Sequence, residues 1–496
     1  MTYNIPVREF LQKAKAGEID FADFGAKVAN EAARLNEKLN CFITINNEFG
    51  KSGKQAQPAK NKLLSYLPIS IKDNICARGL ASTAGSKILR NYVPPFDASA
   101  VARIKREGGR VLGKTSMDEF GFGGFSVNVG IGFKTPKNPF DLERSTGGSS
   151  GGAGAIAAAA NFPHIALAES TGGSISAPAS FCGVVGLTPS YGLVSRYGLI
   201  DYANSLDKIG CVGKSVYDCA LLLSAIAGYD EKDSTSLPKK QKDYTNYCDE
   251  KKMRGNGISG SAEIRGISCE MKIAVPKEYF ENLNPEVEKE VWKAIKLMES
   301  EGNAYEEVSL PNTKYAVSAY YIIAMSEAST NLAKYCGMRY GLAKPLEGNF
   351  NEYFSAVRAE GFGAEAKRRI ILGTYARMAG YRDAFYMKAL KIRTLIINDF
   401  KKVFNKFDAI AAPTMPMLPP KFSELEKLSP LENYQADILT VPANLAGIPH
   451  ISVPCGFVKG LPAGLHLLAD HLQEGKIISL AAQYEKIRGE VKYPKV

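Results

Sequence analysis

Between Glu143 and Pro189 the chain reads ERSTGGSSGGAGAIAAAANFPHIALAESTGGSISAPASFCGVVGLTP. Two clusters in this stretch set serines among glycine pairs, Gly147-Gly148-Ser149-Ser150-Gly151-Gly152 and Thr171-Gly172-Gly173-Ser174. Glycine pairs let a backbone approach a neighbour closely and take angles closed to other residues. A serine held in such a backbone is a candidate nucleophile, and the surrounding N–H groups are free to bind an oxyanion. A flexible Gly/Ser linker is the plain alternative for the first cluster, and a tight turn for the second. Against the linker, the first cluster passes directly into Ala155–Ala160, a strong helix former. The serines at 149 and 174 are 25 residues apart (174 − 149), room for one helix and one strand to bring the chain back to its start.

A serine hydroxyl is a weak nucleophile without a base. Only four histidines occur, at 164, 450, 466 and 471, and His164 alone lies near a serine cluster in sequence. A buried lysine is the next choice, because desolvation favours the neutral amine. Lys72 closes the strand-like run Leu67-Pro68-Ile69-Ser70-Ile71-Lys72 and is the best-placed candidate. The competing reading is a lysine that snorkels to solvent at a strand end.

The 496 residues could fill about three domains by length alone, though large α/β enzymes often stay in one piece. No apolar run reaches the roughly 18 residues of a membrane span. The N-terminal stretch lacks an apolar signal core, so a cytoplasmic protein is expected. Nine cysteines are scattered without a Cys-x-x-Cys pair, which argues for reduced thiols and against a metal site. The formal charge of +11 (62 − 51) suits a protein working beside RNA, and a solvated basic surface explains it equally well.

Apolar spacing predicts two helices over 6–39 broken near Gly17, then a strand at Phe42–Ile45 and a surface loop over 46–62. Asp97 is expected to cap a helix over 98–107 that Gly108 stops. Gly108–Thr115 matches the phosphate-loop pattern G-x-x-x-x-G-K-[ST], but a helix precedes it and Arg110-Val111-Leu112 reads as the strand itself, so the scaffold is wrong for that motif. The glycine- and aromatic-rich run 121–132 predicts a loop packed close to a site. Loops at 191–198 and 205–207 should flank a sheet edge, and a helix covers 215–226. Residues 229–268 are polar and lysine-rich and predict a mobile excursion. A fresh strand at Lys272–Pro276 precedes a helix capped by Asn284 with Pro285 at its first position, ending at Gly302. Helices follow over 313–336, 364–378 and 381–406, with strands at 409–411, 450–453 and 465–468. Strands alternating with helices at both ends predict an α/β protein, with one mixed sheet covered on both faces and one domain over 1–496.

Several motifs resemble those of the amidase signature family across nearly the whole chain. They are Pro68–Asn74, the Gly147–Gly152 cluster, Thr171–Ile175 and Pro178–Pro189. The resemblance implies the amidase signature fold and a Ser-Ser-Lys triad. Ser174 would be the acylated nucleophile, Ser149 the proton relay on a cis peptide, and Lys72 the base. Backbone N–H groups of Thr171, Gly172, Gly173 and Ser174 would form the oxyanion hole. Met117–Phe120, Val194–Ile200, Lys367–Ile370, Tyr434–Thr440 and Asn444–Pro449 resemble the branch of this family that provides the glutaminase component of tRNA-dependent amidotransferases.

That branch implies glutamine as substrate, with Arg369 on its α-carboxylate, Asp437 on its α-ammonium and Tyr320 lining the pocket. It implies no cofactor or metal in this chain. Ammonia would pass to a B subunit that uses ATP and Mg to act on Glu-tRNA(Gln) or Asp-tRNA(Asn), with a small C subunit beside it. The alternatives are a stand-alone amidase with the same triad and, more remotely, a phosphate-loop NTPase or RNA-binding protein. Two departures stand out. The family has an aspartate directly before Thr-Gly-Gly-Ser, where Glu169-Ser170 reads as one residue longer, and Ser176 replaces an arginine two positions past the nucleophile.

Overall fold

The computed structural model describes residues 3–51, 62–249 and 270–496. Short apolar runs form the eleven strands of one mixed sheet. In chain order they are β1 Phe42–Ile45, β2 Pro68–Lys72, β3 Arg110–Thr115, β4 Ile165–Ser170, β5 Val185–Thr188, β6 Lys208–Gly213, β7 Lys272–Pro276, β8 Ala304–Val308, β9 Ala409–Pro413, β10 His450–Val458 and β11 Leu461–Leu468. Their order across the sheet is β1-β3-β2-β4-β6-β5-β10-β11-β9-β7-β8. β2 lies parallel between β3 and β4, and β7 parallel between β8 and β9, while the middle of the sheet is antiparallel. Every residue of β2, β4, β5, β6, β9 and β11 is buried, as strands must be when helices cover both faces. The expected α/β architecture is the observed one.

Most of the local stop and start signals act as expected. Gly17 takes a left-handed φ of 80° between helices Val7–Ala16 and Phe21–Leu39, and Asp20 caps the second through the N–H groups of Ala22 and Asp23. Asn284 caps Pro285–Ser300 with Pro285 in its first turn, and Ser215 and Asp218 form a capping box on Val216–Ile226. Asp97 is different. The helix Ser99–Arg106 starts from Ala98 without a side-chain cap, and the Asp97 carboxylate is taken by the Arg78 N–H and the Lys105 amine. A helix at Phe350–Gly361, capped by Asn349 and Glu352, is additional to those expected, since its few buried positions leave a weak apolar stripe.

Part of the expected excursion, 250–269, lies outside the described residues. Its earlier part is tied down. Tyr244 and Tyr247 are buried against helices Val216–Ile226 and Glu474–Ile487, and Gln241 donates to the Ser224 carbonyl.

The phosphate-loop match folds as strand. Lys114 lies within β3, fully buried, donating to Ser82 Oγ at 2.7 Å and to the Asp73 carbonyl at 3.3 Å, with Asp73 Oδ1 at 3.4 Å. Burial pushes its amine below the usual lysine range, and the Asp73 charge opposes that shift. This lysine is structural. Lys114→Ala strips the buried Asp73 carboxylate of its cation and should cost about 3 kcal/mol of stability, seen as a lowered thermal midpoint. An unchanged midpoint would show that the pair contributes nothing.

Candidate active site

Parallel pairing of β2 with β4 matches Ile69 to Ile165 and Ile71 to Leu167, so the carboxyl ends of both strands lie side by side. Crevices at such ends are where open α/β sheets bind ligands. Lys72 ends β2, and β4 runs straight into Thr171-Gly172-Gly173-Ser174. The first serine cluster arrives from the other direction. Ser150 precedes the helix Gly151–Ala159, which leads into β4 and so returns the chain to the second cluster. Two hydrogen bonds from Ser150 close the circuit, its N–H to the Ser174 carbonyl at 3.2 Å and its hydroxyl to the Glu169 carbonyl at 3.0 Å.

Lys72 Nζ meets three oxygens: Ser149 Oγ at 2.8 Å, the Glu169 carbonyl at 2.9 Å and Glu169 Oε2 at 2.9 Å. Lys72, Ser149 and Glu169 have no exposed surface, whereas Ser174 keeps 6% of its own and is the member of the group that an incoming molecule can reach. The Gly148–Ser149 peptide is cis. Among the described residues, the N–H groups of Thr171, Gly172, Gly173 and Ser174 have no acceptor. Unpaired N–H groups beside a reachable serine are what an oxyanion needs.

The glycine-rich run 121–132 packs here as expected. The Gly148 N–H donates to the Gly124 carbonyl at 2.7 Å, and Asp118 Oδ2 and Oδ1 accept from the N–H groups of Ser126 and Asn128. Burial raises the Asp118 carboxyl to about 6 against the pull of those N–H groups.

A second group stands beside the serines. Arg369 is 2% exposed, donates from Nε to Glu365 Oε1 at 2.8 Å and from Nη1 to the Tyr202 hydroxyl at 2.5 Å. Its Cζ lies 5.0 to 5.6 Å from the ring centres of Phe122, Tyr202, Tyr321 and Tyr434. Asp437 accepts from the Tyr321 hydroxyl at 2.6 Å, and burial raises its carboxyl above the usual range. Tyr320 lies over the nucleophile loop, where a Cβ on Gly172 would come within 2.8 Å of its ring. The structure thus brings together all of the residues singled out in the sequence: Lys72, Ser149, the 171–174 loop, Tyr320, Arg369 and Asp437.

Sequence reading misses Tyr202, Tyr321, Tyr434, Glu365 and Asp207. Glu365 alone has a local signal, its i,i+4 spacing to Arg369 on the helix Ala364–Arg377. The extra residue expected before Thr171 is not there. β4 pairs with β6 through Glu169↔Ile209 and Ser170↔Lys208 without a bulge, so the segment differs by substitution and not by length. Ser170 Oγ accepts from Asn444 Nδ2, and Ser176 Oγ meets His450 Nδ1 at 3.1 Å. His450 also contacts His466, and burial drives both imidazoles far below their usual range, leaving neither as a base for Ser174.

The sequence profile of the amidase family matches residues 26–478. Over 493 residues the chain is 45% identical to the A subunit of glutamyl-tRNA(Gln) amidotransferase from Halothermothrix orenii, covering 99% of this chain and 98% of that one. It is 48% identical over 452 residues to the protein of the same name from Methanosarcina mazei, covering 90% of each. The crystal structure of the corresponding Thermotoga maritima protein, which also bears that name, superposes with a TM-score of 0.79 at 35% identity, over 100% of this chain and 98% of that chain. A peptide amidase crystallised with chymostatin gives 0.78 at 26% identity, over 99% and 98%.

The fit of Gly148 is testable without any substrate. A Cβ there would collide with Asp118 Oδ2 and come within 2.6 Å of the Ser126 nitrogen and 2.8 Å of the Phe125 nitrogen. Gly148→Ala is therefore expected to destabilise by about 1–3 kcal/mol in thermal melting, whereas Gly79→Ala, where a Cβ meets nothing, should show only the strain of its positive φ.

Proposed function

The chain belongs to the amidase family, and on that premise we propose that it hydrolyses the side-chain amide of glutamine as the glutaminase component of a tRNA-dependent amidotransferase. The observation that carries the reading is the 2.8 Å contact between Lys72 Nζ and Ser149 Oγ, with Ser150 tying that serine to Ser174. Ser174 Oγ attacks the carboxamide carbon. Its proton passes to Ser149, whose own proton passes to Lys72. The N–H groups of residues 171–174 hold the oxyanion, ammonia leaves with the returned proton, and water resolves the glutamyl ester by the same route in reverse.

Arg369 and Asp437 supply opposite charges for the two ends of an α-amino acid head group, which favours glutamine over a simple amide. The names of the relatives support a chain that works with partner subunits, ammonia passing to a B subunit that spends ATP with Mg on misacylated tRNA, a C subunit between them. In that setting residues 1–496 act as one amidase domain in the cytoplasm. No helix among the described residues is long and apolar enough to cross a membrane.

Ammonia release from glutamine tests the assignment. Ser174→Ala should lower kcat by at least about a thousandfold, as removal of a nucleophile does. Asp437→Asn should raise KM by roughly 10- to 100-fold through loss of a charge-assisted contact, leaving kcat nearly unchanged. Full activity in Ser174→Ala would refute the nucleophile, and strong turnover of other amides by the chain alone would instead favour a stand-alone amidase.

A further inference from the structure

Glu169 has no task in that scheme, yet both its oxygens are engaged in the buried centre. Oε2 touches Lys72 Nζ at 2.9 Å and accepts from Asn74 Nδ2 at 3.0 Å. Oε1 lies 2.8 Å from Thr171 Oγ1, which lies 2.7 Å from Asp207 Oδ1. Asp207 is buried too, its oxygens accepting the N–H groups of Tyr202 and Ala203.

Counting hydrogens constrains this row. A threonine hydroxyl has one hydrogen and can donate to only one of two carboxyls. The other short contact is a hydrogen bond only if that carboxyl is itself protonated. Two carboxyls so close in a dry site also resist double ionisation. Burial first, and then the charge of Glu169, push the Asp207 carboxyl well above its usual range.

The same count applies to Lys72. As an ammonium it donates to all three of its oxygens. As a neutral amine it donates to the two oxygens of Glu169 and accepts from the Ser149 hydroxyl, the direction a base requires.

We propose that Glu169 and Asp207 share one proton through the Thr171 hydroxyl, and that its movement balances the charge of Lys72. In the resting site Lys72 is neutral, Glu169 carries its proton on Oε1 toward Thr171, and Thr171 donates to the Asp207 carboxylate. When Lys72 takes the proton from Ser149, the Glu169 proton passes to Thr171 Oγ1 and the Thr171 hydrogen passes to Asp207 Oδ1. Glu169 is then an anion against the new ammonium, and Asp207 is neutral. One proton enters, the charge of the group rises by one, and no bond to substrate is involved. Glu169 and Asp207 are positioning residues for the base.

Other charged groups face this row. Asp118 approaches from the 118–128 loop, where the Lys72 charge opposes its upward shift, and Arg369 acts on Asp118 in the same sense. Arg196 opposes the shift of Asp207. Lys208 stands opposite Ser170 on β6 with its amine on the Ile448 carbonyl, and burial lowers it to about 7. None of these touches Glu169, so substitutions within the row should move the pH profile in a way that these neighbours do not.

The proposal rests on Ser174, Ser149 and Lys72 acting as above, and it is tested by kcat/KM for glutamine hydrolysis against pH. Glu169→Gln keeps the resting hydrogen bonds but removes the anion that favours the ammonium. Its acid limb should move down by about one pH unit, with KM unchanged and a lower plateau. Asp207→Asn forces Thr171 to donate to Glu169, fixing the carboxylate beside Lys72, and should move the acid limb up by about one unit. Opposite displacements support the shared proton. Superimposable limbs, displacement in one common direction, or a uniform loss at every pH overturn it. If Glu169→Gln does not fold, Asp207→Asn alone decides, an upward limb supporting and a fixed or downward limb refuting. An active Ser174→Ala would instead sink the underlying reading, so the two failures are distinguishable.

Discussion

The site depends on burying one amine at the end of β2. An unpaired ammonium in a dry interior costs several kcal/mol, so Lys72 can sit there only where oxygens are already waiting. The sheet provides them. The β2–β4 ladder stops at Ile71↔Leu167, two residues before Glu169. Past that point the Glu169 carbonyl is free of this ladder and accepts from Lys72 Nζ and from the Ser150 hydroxyl. One backbone oxygen thus joins the base to the first serine cluster, and the same residue offers its carboxyl to the base. The shared proton proposed above follows from this crowding, because three buried titratable groups in a row cannot all carry charge.

The glycines have the opposite duty, since they keep space closed. A Cβ on Gly147 would lie 2.8 Å from the Ala177 carbonyl, and one on Gly173 would run into the Thr440 side chain. These contacts leave the serines in backbone that touches its neighbours closely. A linker would show open space at those positions, as Gly17 and Gly79 do.

What could be read from sequence was what is local. Serines between glycine pairs, a lysine closing an apolar strand and Pro-Asn caps are patterns of a few residues, and the structure places them as expected. Arg369 and Asp437 lie 68 positions apart (437 − 369), and only resemblance joins them beforehand. Asp207 reads as a loop residue, because nothing nearby in sequence reveals that its partners are Thr171 and the N–H groups of Tyr202 and Ala203. Asp97 misleads for a related reason. Its cap signal is sound, but a distant N–H at Arg78 and an amine at Lys105 compete for the carboxylate and win. The Glu169-Ser170 pair reads falsely as an insertion, since sequence shows order and not pairing register.

Tyr321 sets the relation between the two charges proposed to hold the head group. Its hydroxyl donates to Asp437 while its ring faces the Arg369 guanidinium, so one side chain fixes both. Arg369 spends Nε on Glu365 and Nη1 on Tyr202, and among the described residues Nη2 has no hydrogen-bond partner, leaving that edge of the planar fork for a carboxylate. Asp437 is the softer partner. Burial raises its carboxyl, and an α-ammonium arriving beside it would favour the ionised form, as an opposite charge does. Capture of the ammonium is then coupled to loss of a proton from Asp437. A neutral amide lacking that group would leave the carboxyl unpaired, which is how a buried acid can select for an amino acid without touching the bond that breaks.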